Sequence, residues 1–421
     1  MIYVLGYFFK ELSLIADILL TVILIAAVLD IIFLFRKSQI TAHRITPERL
    51  SNGDDNYLTL RIINNYNTNI LLEIVDEIPY QFQKRDFKII DRISANSQKQ
   101  IDYILRPIER GSYQFGNLNI YTSTVIGFCK RKYIFSGGAE VQVYPSFLHL
   151  KHYEMIAVSN KSYSYGFNEV SKLGNSMEFE HIRDYRIGDD YRTINWKATA
   201  RRNDLMVNQY IDERSQNIYS FIDMGRVMRM PFNGLSLLDY AINTSLAMSS
   251  IILKRYDKAG LLTFAKDVKS FLPAINQPQQ LPKIMEMLYN SETNFEESSF
   301  EYLYTFVRRK IPQRSLLMIY TNFETIDSMR RNLDYIRLIA KFHLPLVIFF
   351  ENTELSKLLD DIPQKSFDIY KKVTAEQYMI DKYEIINELR ANGIIAMLSK
   401  PENLTLNSIN KYLEIKSRRL V

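Results

Sequence analysis

The sequence GNSMEFEHIRDYRIGDDYRTINWKATARRNDLMVNQY occupies residues 174–210 and is the most densely charged stretch of the 421-residue chain. It also holds the only tryptophan, Trp196. Both signs of charge alternate within a few positions, so we expect the stretch to pair with itself or with one shaped partner rather than to bind by net charge. Its charged side chains include Glu178, Glu180, Asp184, Asp189, Asp190, Arg183, Arg186, Arg192, Lys197, Arg201 and Arg202.

Local signals divide this stretch into a turn, a short helix and a strand. The Gly-Asp-Asp sequence at 188–190 predicts a tight turn, because glycine tolerates positive φ and aspartate bonds its own backbone. Either aspartate can then cap a short helix that runs to Ala200 and carries Trp196 toward a core. Residues 205–210 alternate as a strand does. The predicted polar side of the helix holds Arg192, Lys197 and Arg201.

Three uses of this charge cluster are compatible with the sequence. It can be a salt-bridge and turn network that fastens two elements together, a metal or phosphate site, or a protein-docking surface. The candidate residues for binding a partner or ligand are Glu178, Glu180, Arg183, Tyr185, Asp189, Asp190, Arg192, Trp196, Lys197 and Arg201.

The pattern E-F-E-x-x-R-x-Y-x-x-G-D-D-x-R-x-I-x-W-K-A-x-A-R at residues 178–201 resembles the signature of a bacterial family, domain of unknown function 58. The resemblance implies a membrane-anchored protein with a von Willebrand factor A-like domain. It also implies a neighbouring MoxR-type AAA+ ATPase, so that this ATPase or its client protein is the expected partner.

Composition places the chain among ordinary folded proteins, with 47% hydrophobic and 24% charged residues. The 53 basic and 47 acidic residues leave a net charge of only +6, which does not indicate nucleic-acid binding. The 28 tyrosines and 24 phenylalanines are scattered and do not interleave with a basic groove. A single cysteine excludes an internal disulfide.

The N-terminal region predicts a membrane anchor. Residues 12–35 read LSLIADILLTVILIAAVLDIIFLF, which as a helix is long enough to cross about 30 Å of hydrocarbon. Asp17 and Asp30 interrupt the run and are tolerable only near its ends. Arg36, Lys37, Arg44 and Arg49 follow the span, whereas Lys10 and Glu11 precede it. The positive-inside rule therefore predicts a bacterial inner (cytoplasmic) membrane protein with most of its chain in the cytoplasm.

The remaining chain divides into a β-rich part and an α/β part. We predict a membrane anchor at 1–38, a small antiparallel β-sandwich at 39–150, a connector with the charged stretch at 151–215, and an α/β domain at 216–421. Short alternating runs with glycine punctuation favour the sandwich. Alternating strands and helices after residue 216 predict a doubly wound, mainly parallel sheet covered on both faces. His149 and His152, in the connector, are expected on the surface.

Ligands of such sheets bind beyond the carboxyl ends of the strands, which directs attention to residues 223–227 and 321–324. The resemblance implies a metal-ion-dependent adhesion site there, with D-x-S-x-S, a Thr and a later Asp around Mg²⁺. Asp223 matches, Thr293 is the candidate Thr, and Asn322 stands where the later Asp belongs. Gly225 and Val227 replace the two serines, so we expect Mg²⁺ binding to be severely weakened.

No motif for hydrolysis is present. The P-loop, H-E-x-x-H and G-x-S-x-G patterns are all missing from the sequence. We therefore predict a membrane-anchored, non-catalytic adaptor or scaffold with a cytoplasmic docking surface. The alternative is a metal-dependent enzyme acting on phosphate or cell-envelope substrates. In it, Glu178, Glu180, Asp189 and Asp190 bind the cation while Arg183, Arg192 and Lys197 hold the substrate.

Overall fold

A computed structural model describes residues 10–36, 40–159, 177–186, 189–202, 204–212, 215–293, 295–351, 366–418 and 420. Side chains are described for these residues except 10–14, 16, 156, 158–159, 177–181, 209–212 and 366. The chain folds into two compact units, Met1–Leu148 and His149–Val421.

The described helices are α1 (Lys10–Phe35), α2 (Leu150–Ser159), α3 (Trp196–Arg202), α4 (Leu237–Lys254), α5 (Gln280–Tyr289), α6 (Phe300–Lys310), α7 (Ile326–Ala340), α8 (Ser366–Ala391) and α9 (Leu404–Ser417). Short 3-10 helices lie at Tyr80–Phe82, Tyr191–Thr193, Arg226–Arg229 and Pro401–Asn403.

The strands of the first unit are β1 (Ile40–Ile45), β2 (Arg49–Ser51), β3 (Asn56–Asn64), β4 (Ile70–Asp76), β5 (Ile89–Ile93), β6 (Ser97–Leu105), β7 (Gly111–Phe115), β8 (Leu118–Ser123), β9 (Lys130–Phe135) and β10 (Ala139–Tyr144). Those of the second are β11 (Met177–Asp184), β12 (Met206–Asp212), β13 (Asn217–Asp223), β14 (Pro231–Phe232), β15 (Leu235–Ser236), β16 (Lys258–Phe264), β17 (Val268–Ile275), β18 (Leu316–Tyr320), β19 (Leu344–Phe350) and β20 (Ile395–Ser399).

The predicted N-terminal apolar helix is present as α1. Its 26 residues contain neither glycine nor proline, so nothing interrupts the backbone hydrogen bonds. In the described part of the chain it is the helix that is long and apolar enough to cross a membrane. Its last turn joins the β-rich unit, because the carbonyl of buried Leu34 accepts hydrogen bonds from Tyr66 Oη at 2.8 Å and Arg131 Nη1 at 2.9 Å.

The first unit has the predicted sandwich-like arrangement of short, mostly antiparallel strands. Its sheets have the strand orders β1-β3-β6, β2-β10-β7 and β5-β4-β8-β9, and among these described strands only the pair β10 and β2 is parallel. Burial alternates along β4 and β3, which places one face of each in a shared apolar core. The alternating sequence pattern therefore predicts this unit correctly.

A buried ion pair crosses the core of the first unit. Arg44 pairs with Asp76, and it also donates to the carbonyls of Gly116, at 2.8 Å, and Gly137. Asp76 accepts a further bond from Tyr103 Oη at 2.5 Å. Burial raises the pKa of Asp76 above its usual value, although Tyr103 and Arg44 act in the opposite direction. The carboxylate is therefore held by its partners rather than by solvent.

The second unit contains a six-stranded sheet with the order β17-β16-β13-β18-β19-β20. Five strands are parallel, as the alternation of strands and helices predicts. The edge strand β17 is antiparallel to β16 and was not predicted. Helices α6, α7 and α8 share one apolar cluster with the sheet. Helix α4 packs against β13 and β16, and α9 packs against α4.

The predicted polar connector is helical over α2, which packs on α4. Glu154 accepts from Ser250 Oγ at 2.5 Å and pairs with Lys254, and Arg255 Nη2 donates to the carbonyl of Ala157 at 2.8 Å. His149 and His152 are both exposed, as predicted.

Candidate functional site

The charged stretch forms a β-hairpin with a helical insertion. Strands β11 and β12 pair antiparallel, with Arg183 opposite Val207, and the 3-10 turn and α3 lie between them. The predicted strand β12 is confirmed, whereas β11 was missed because half of its sequence, MEFEHIRD, is charged. The predicted turn residue Gly188 lies outside the described residues.

Capping of the short helix differs from the prediction. Asp190 caps the 3-10 turn, where its Oδ1 accepts from the amide of Arg192 at 3.0 Å. Helix α3 begins later, and Asn195 Oδ1 accepts from the amide of Ala198 at 3.0 Å. The extra 3-10 turn separates the aspartates from α3, so the prediction that one of them caps this helix was wrong.

One ion pair lies at the start of the insertion. Arg183 binds Asp189 through two hydrogen bonds, each of 2.7 Å, and Asp189 also accepts from the amide of Arg186 at 2.8 Å. The Arg183 hydrogen bond is the main cause that lowers the pKa of Asp189. Because both side chains are partly exposed, we expect this pair to contribute at most about 1 kcal/mol to the free energy of unfolding. Part of the stretch therefore pairs with itself.

Trp196 points away from the core, which corrects the prediction for it. Its side chain is 69% exposed, and so is that of Tyr191. Helix α3 turns its small residues toward β12 instead: Ala198 and Thr199 are half-buried, and Thr199 Oγ1 accepts from the amide of Met206 at 3.0 Å. A seven-residue helix has room for only one such contact face, so the large indole stays in solvent.

Exposed basic residues of the insertion precede and follow Trp196 in the sequence. We call the exposed side chains of Tyr191, Arg192, Trp196, Lys197 and Arg201 the α3 face. The Arg192 guanidinium lies 5.7 Å from the centre of the Tyr191 ring, which is within the range of a cation–π contact. The α3 face thus includes one aromatic side chain that contacts a basic one.

The carboxylates of the enzyme alternative have other roles or are not described. Asp189 is paired with Arg183, and Asp190 caps the 3-10 turn. The side chains of Glu178 and Glu180 lie outside the described residues, although both positions belong to β11. Tyr185 is half-buried beside these residues, and its amide donates to the carbonyl of Leu205 at 2.8 Å.

A second cluster lies at the carboxyl end of β13, where the sequence predicts a ligand site. Asp223 is buried, and its carboxylate accepts bonds from Thr321 Oγ1 at 2.6 Å, the amide of Gly225 at 2.8 Å, and Ser298 Oγ. Burial raises the pKa of Asp223, and the three donors only partly oppose this effect. The side chain is held in a satisfied, nearly dry environment.

Gly225 and Ser298 explain how the cluster differs from the predicted motif. A Cβ atom at Gly225 would collide with Ser298 Oγ and would lie 3.0 Å from Asp223 Oδ1. Ser298 therefore occupies the space that a serine at position 225 would need. Sequence reasoning named Thr293 as the hydroxyl residue, but Ser298 and Thr321 bond Asp223. The only sequence signal for Ser298 is its place just before the helix-capping Ser299 of α6.

Asn322, the third predicted metal ligand, is bonded to a buried lysine. Lys382 Nζ, from α8, donates to Asn322 Oδ1 at 2.6 Å and to the carbonyl of Phe323, and it lies 5.1 Å from the centre of the Tyr378 ring. Burial lowers the pKa of Lys382 to about 7, although the charge of Glu324 acts in the opposite direction. Sequence reasoning missed Lys382, because nothing in the helix pattern of α8 marks it.

These side chains do not fit the magnesium site that the resemblance implies. Glycine and valine supply no side-chain oxygen at positions 225 and 227, and Asn322 Oδ1 faces an ammonium group. In the part of the chain that the structure describes, no group of three or more His, Cys, Asp or Glu side chains could hold a metal ion. A cleft of about 160 Å³ remains at this edge of the sheet. Its lining includes Asp223, Arg226, Ser298, Thr321, Glu324 and Arg331.

A family of known sequences matches the chain from within β11 to the start of β19. The family described as Protein of unknown function DUF58 matches residues 181–344. A curated relative, Uncharacterized protein YeaD of Bacillus subtilis (strain 168), is 22% identical over 173 residues. That match covers 41% of this chain and 40% of the relative, so the chain spans well under two thirds of the relative's length.

Solved structures similar to this chain cover about a quarter of it. The ASH / PapD-like domain of human CEP192 has 11% identity and a TM-score of 0.20, covering 25% of this chain and 84% of its own. The cupredoxin domain of amoB from Nitrosocaldus yellowstonii has 12% identity and a TM-score of 0.19, covering 25% and 88%. TM-scores this low carry no argument about fold or function.

Proposed function

We propose that this protein is a membrane-anchored, non-catalytic adaptor whose α3 face binds a MoxR-type AAA+ ATPase or the client of that ATPase. The exposure of Trp196 carries the proposal. The only tryptophan of the chain is exposed to solvent, and exposed Tyr191 and three exposed basic residues lie within five positions of it in the sequence. Tryptophan, tyrosine and arginine are the residues that contribute most at protein interfaces, typically from the centre of the contact.

The chemistry of the α3 face indicates what its partner presents. Arg192, Lys197 and Arg201 favour an acidic surface, and the indole of Trp196 favours an apolar pocket. The Arg183–Asp189 pair and the cap at Asn195 hold the insertion in place, which reduces the conformational entropy lost on binding.

The anchor in this proposal is α1, with the bulk of the chain in the cytoplasm of a bacterium. The length and apolar composition of α1 support membrane insertion. The basic residues Arg36, Lys37 and Arg49, which follow α1 in the sequence, support the cytoplasmic orientation through the positive-inside rule.

We also propose that the α/β sheet is von Willebrand factor A-like and that its ligand site has become structural. Asp223 at the end of the central strand β13 and the nearby hydroxyls of Ser298 and Thr321 support the relation. The bond from Lys382 to Asn322 supports the loss of metal binding. On this proposal the cluster stabilises the sheet edge and performs no chemistry.

The test measures capture of a MoxR-type ATPase by the full chain in detergent micelles. We expect Trp196→Ala to weaken capture by about 30-fold or more, which corresponds to a hot-spot loss of about 2 kcal/mol. Tyr370→Ala is the matched control, because Tyr370 is 70% exposed on α8, where an aromatic side chain is equally free of the core.

Circular dichroism of both variants checks that they remain folded. Equal capture by the wild type and Trp196→Ala would refute the role of the α3 face. Loss of capture in Tyr370→Ala as well would show that the assay reports exposed aromatics in general.

A further inference from the structure

The loop between β8 and β9 exposes a compact apolar tip. Residues 124–129 read TVIGFC, and the side chains of Val125, Ile126 and Phe128 are all exposed, Val125 to 86%. We propose that this tip enters the boundary between headgroups and acyl chains of an anionic bilayer, beside α1, and forms a second membrane contact. The inference rests on the proposed anchoring by α1.

Both ends of the loop are tied to the anchor helix. Asp30 is 1% exposed, and its carboxylate accepts bonds from the amide of Cys129 at 3.0 Å and from Thr124 Oγ1. A carboxylate in an apolar helix is costly in hydrocarbon unless polar groups bind it. Here the loop supplies those groups, so the tip is held against α1 at the level of Asp30.

The loop extends along α1 toward the apolar part of the helix. Tyr66 and Arg131 bind the carbonyl of Leu34, whereas the loop binds Asp30, four residues nearer the N-terminus. At a rise of about 1.5 Å per residue, the loop contact lies about 6 Å farther along the helix. The tip therefore projects beyond the strands in the direction of the proposed membrane.

Helix geometry places this contact at a membrane boundary. The candidate span of α1, Asp17–Phe35, is about 27 Å long, which is close to the thickness of a bilayer hydrocarbon core. When Asp17 lies at one boundary and Phe35 at the other, Asp30 lies about 8 Å inside the second boundary. The apolar tip, which is tied to Asp30, then meets the outer acyl region, and its exposed side chains lose contact with water.

Basic side chains near the tip match anionic headgroups. Arg36 follows α1 and is exposed, and Lys132 is exposed on β9, whereas Lys130, also exposed, pairs with Glu73. Arg131 lies between these lysines and covers the Phe35 ring at 5.1 Å from its centre. An apolar tip bordered by lysine and arginine is the arrangement that binds an anionic lipid surface, because the tip and the charges contribute together.

The test uses the full chain in vesicles of phosphatidylcholine and phosphatidylglycerol, with one environment-sensitive fluorophore at a time. Cys129→Ser removes the native thiol and leaves the backbone hydrogen bond to Asp30. Single cysteines then replace Val125 in the tip, Phe33 in α1, or Tyr80. Tyr80 is the matched control, since it is also 86% exposed but follows β4 at the opposite end of the β4–β8 pair.

We expect the Val125→Cys and Phe33→Cys probes to shift to shorter emission wavelengths and to be quenched by lipids spin-labelled near the headgroup. The Tyr80→Cys probe should resemble a fully hydrated dye. A lipid-exposed Phe33→Cys probe with a hydrated Val125→Cys probe overturns the second contact and leaves the anchor intact. A hydrated Phe33→Cys probe refutes the anchoring itself.

Two further outcomes also count against the inference. Quenching at Tyr80→Cys equal to that at Val125→Cys would mean that the whole unit sinks into lipid, so no localised contact exists. A Val125→Cys probe that changes with protein concentration and not with lipid would assign the tip to contact between copies of this chain.

Discussion

Replacement of Lys382 by methionine should change how the stability of the second unit depends on pH. The ammonium group is buried between Asn322, Phe323 and Tyr378, and its pKa falls from 10.5 to about 7 in the folded chain. Between these two values the unfolded chain carries a proton that the folded chain lacks. The free energy of unfolding therefore rises with pH through this interval and loses that contribution as the pH falls through about 7.

The magnitude follows from the difference between the pKa values of Lys382 in the unfolded and folded chains. A tenfold change in a proton-binding constant corresponds to about 1.4 kcal/mol, so the full interval amounts to roughly 5 kcal/mol. From about pH 7.5 to about pH 9, we expect the wild type to gain about 2 kcal/mol relative to Lys382→Met. The lost hydrogen bonds to Asn322 and Phe323 add a penalty to the variant that does not depend on pH.

Urea unfolding of the full chain in detergent micelles, followed by far-ultraviolet circular dichroism across a pH series, measures this difference. Leu303→Ala provides the control, because Leu303 is buried in the sheet cluster and its truncation lowers stability by about 2–5 kcal/mol at every pH. The control also identifies the transition that belongs to the second unit. A constant difference between wild type and Lys382→Met across the pH series would refute the reasoning.

Two further substitutions test the buried polar clusters by the same unfolding measurement. Asp223→Ala removes the acceptor of the Thr321 and Ser298 hydroxyls and of the Gly225 amide, so it should lower the free energy of unfolding by about 2–4 kcal/mol. Asp223→Asn retains one oxygen and should lower it less. Equal losses of stability in the two variants would contradict this assignment. Arg44→Met leaves Asp76 buried with only Tyr103 as partner and should lower the stability of the first unit by about 3–5 kcal/mol, against a negligible effect of exposed Arg92→Met.

Much of the fold is predictable from the sequence because the buried strands of the sheet are continuous apolar runs. β18 and β19 are of this kind, and helices with separate apolar faces alternate with such strands. Strand β17 was not predicted because it lies at the edge of the six-stranded sheet, contains Pro273 and has no strongly buried face. Strand β11 is missed because its pairing with β12, rather than its own sequence, makes it a strand.

The candidate sites are less predictable, because they depend on which side chains meet in space. Sequence reasoning identifies Asp223, but its hydroxyl partners come from a loop and a strand end that are 75 and 98 residues away. The cluster around Lys382 joins α8 to Asn322 over 60 residues. The prediction for Trp196 was wrong because tertiary contacts determine which face of α3 packs on β12. The seven-residue sequence of the helix does not specify that face.

The bonds at Leu34 and Asp30 also have a mechanical consequence. They join α1 to the sandwich at two levels of the helix, so the helix and the sandwich incline together. The candidate span of α1, Asp17–Phe35, is about 27 Å long, and a span that exceeds the local hydrocarbon thickness tilts more as the bilayer becomes thinner. On the proposed anchoring, local bilayer thickness thereby sets the angle at which the sandwich stands on the membrane.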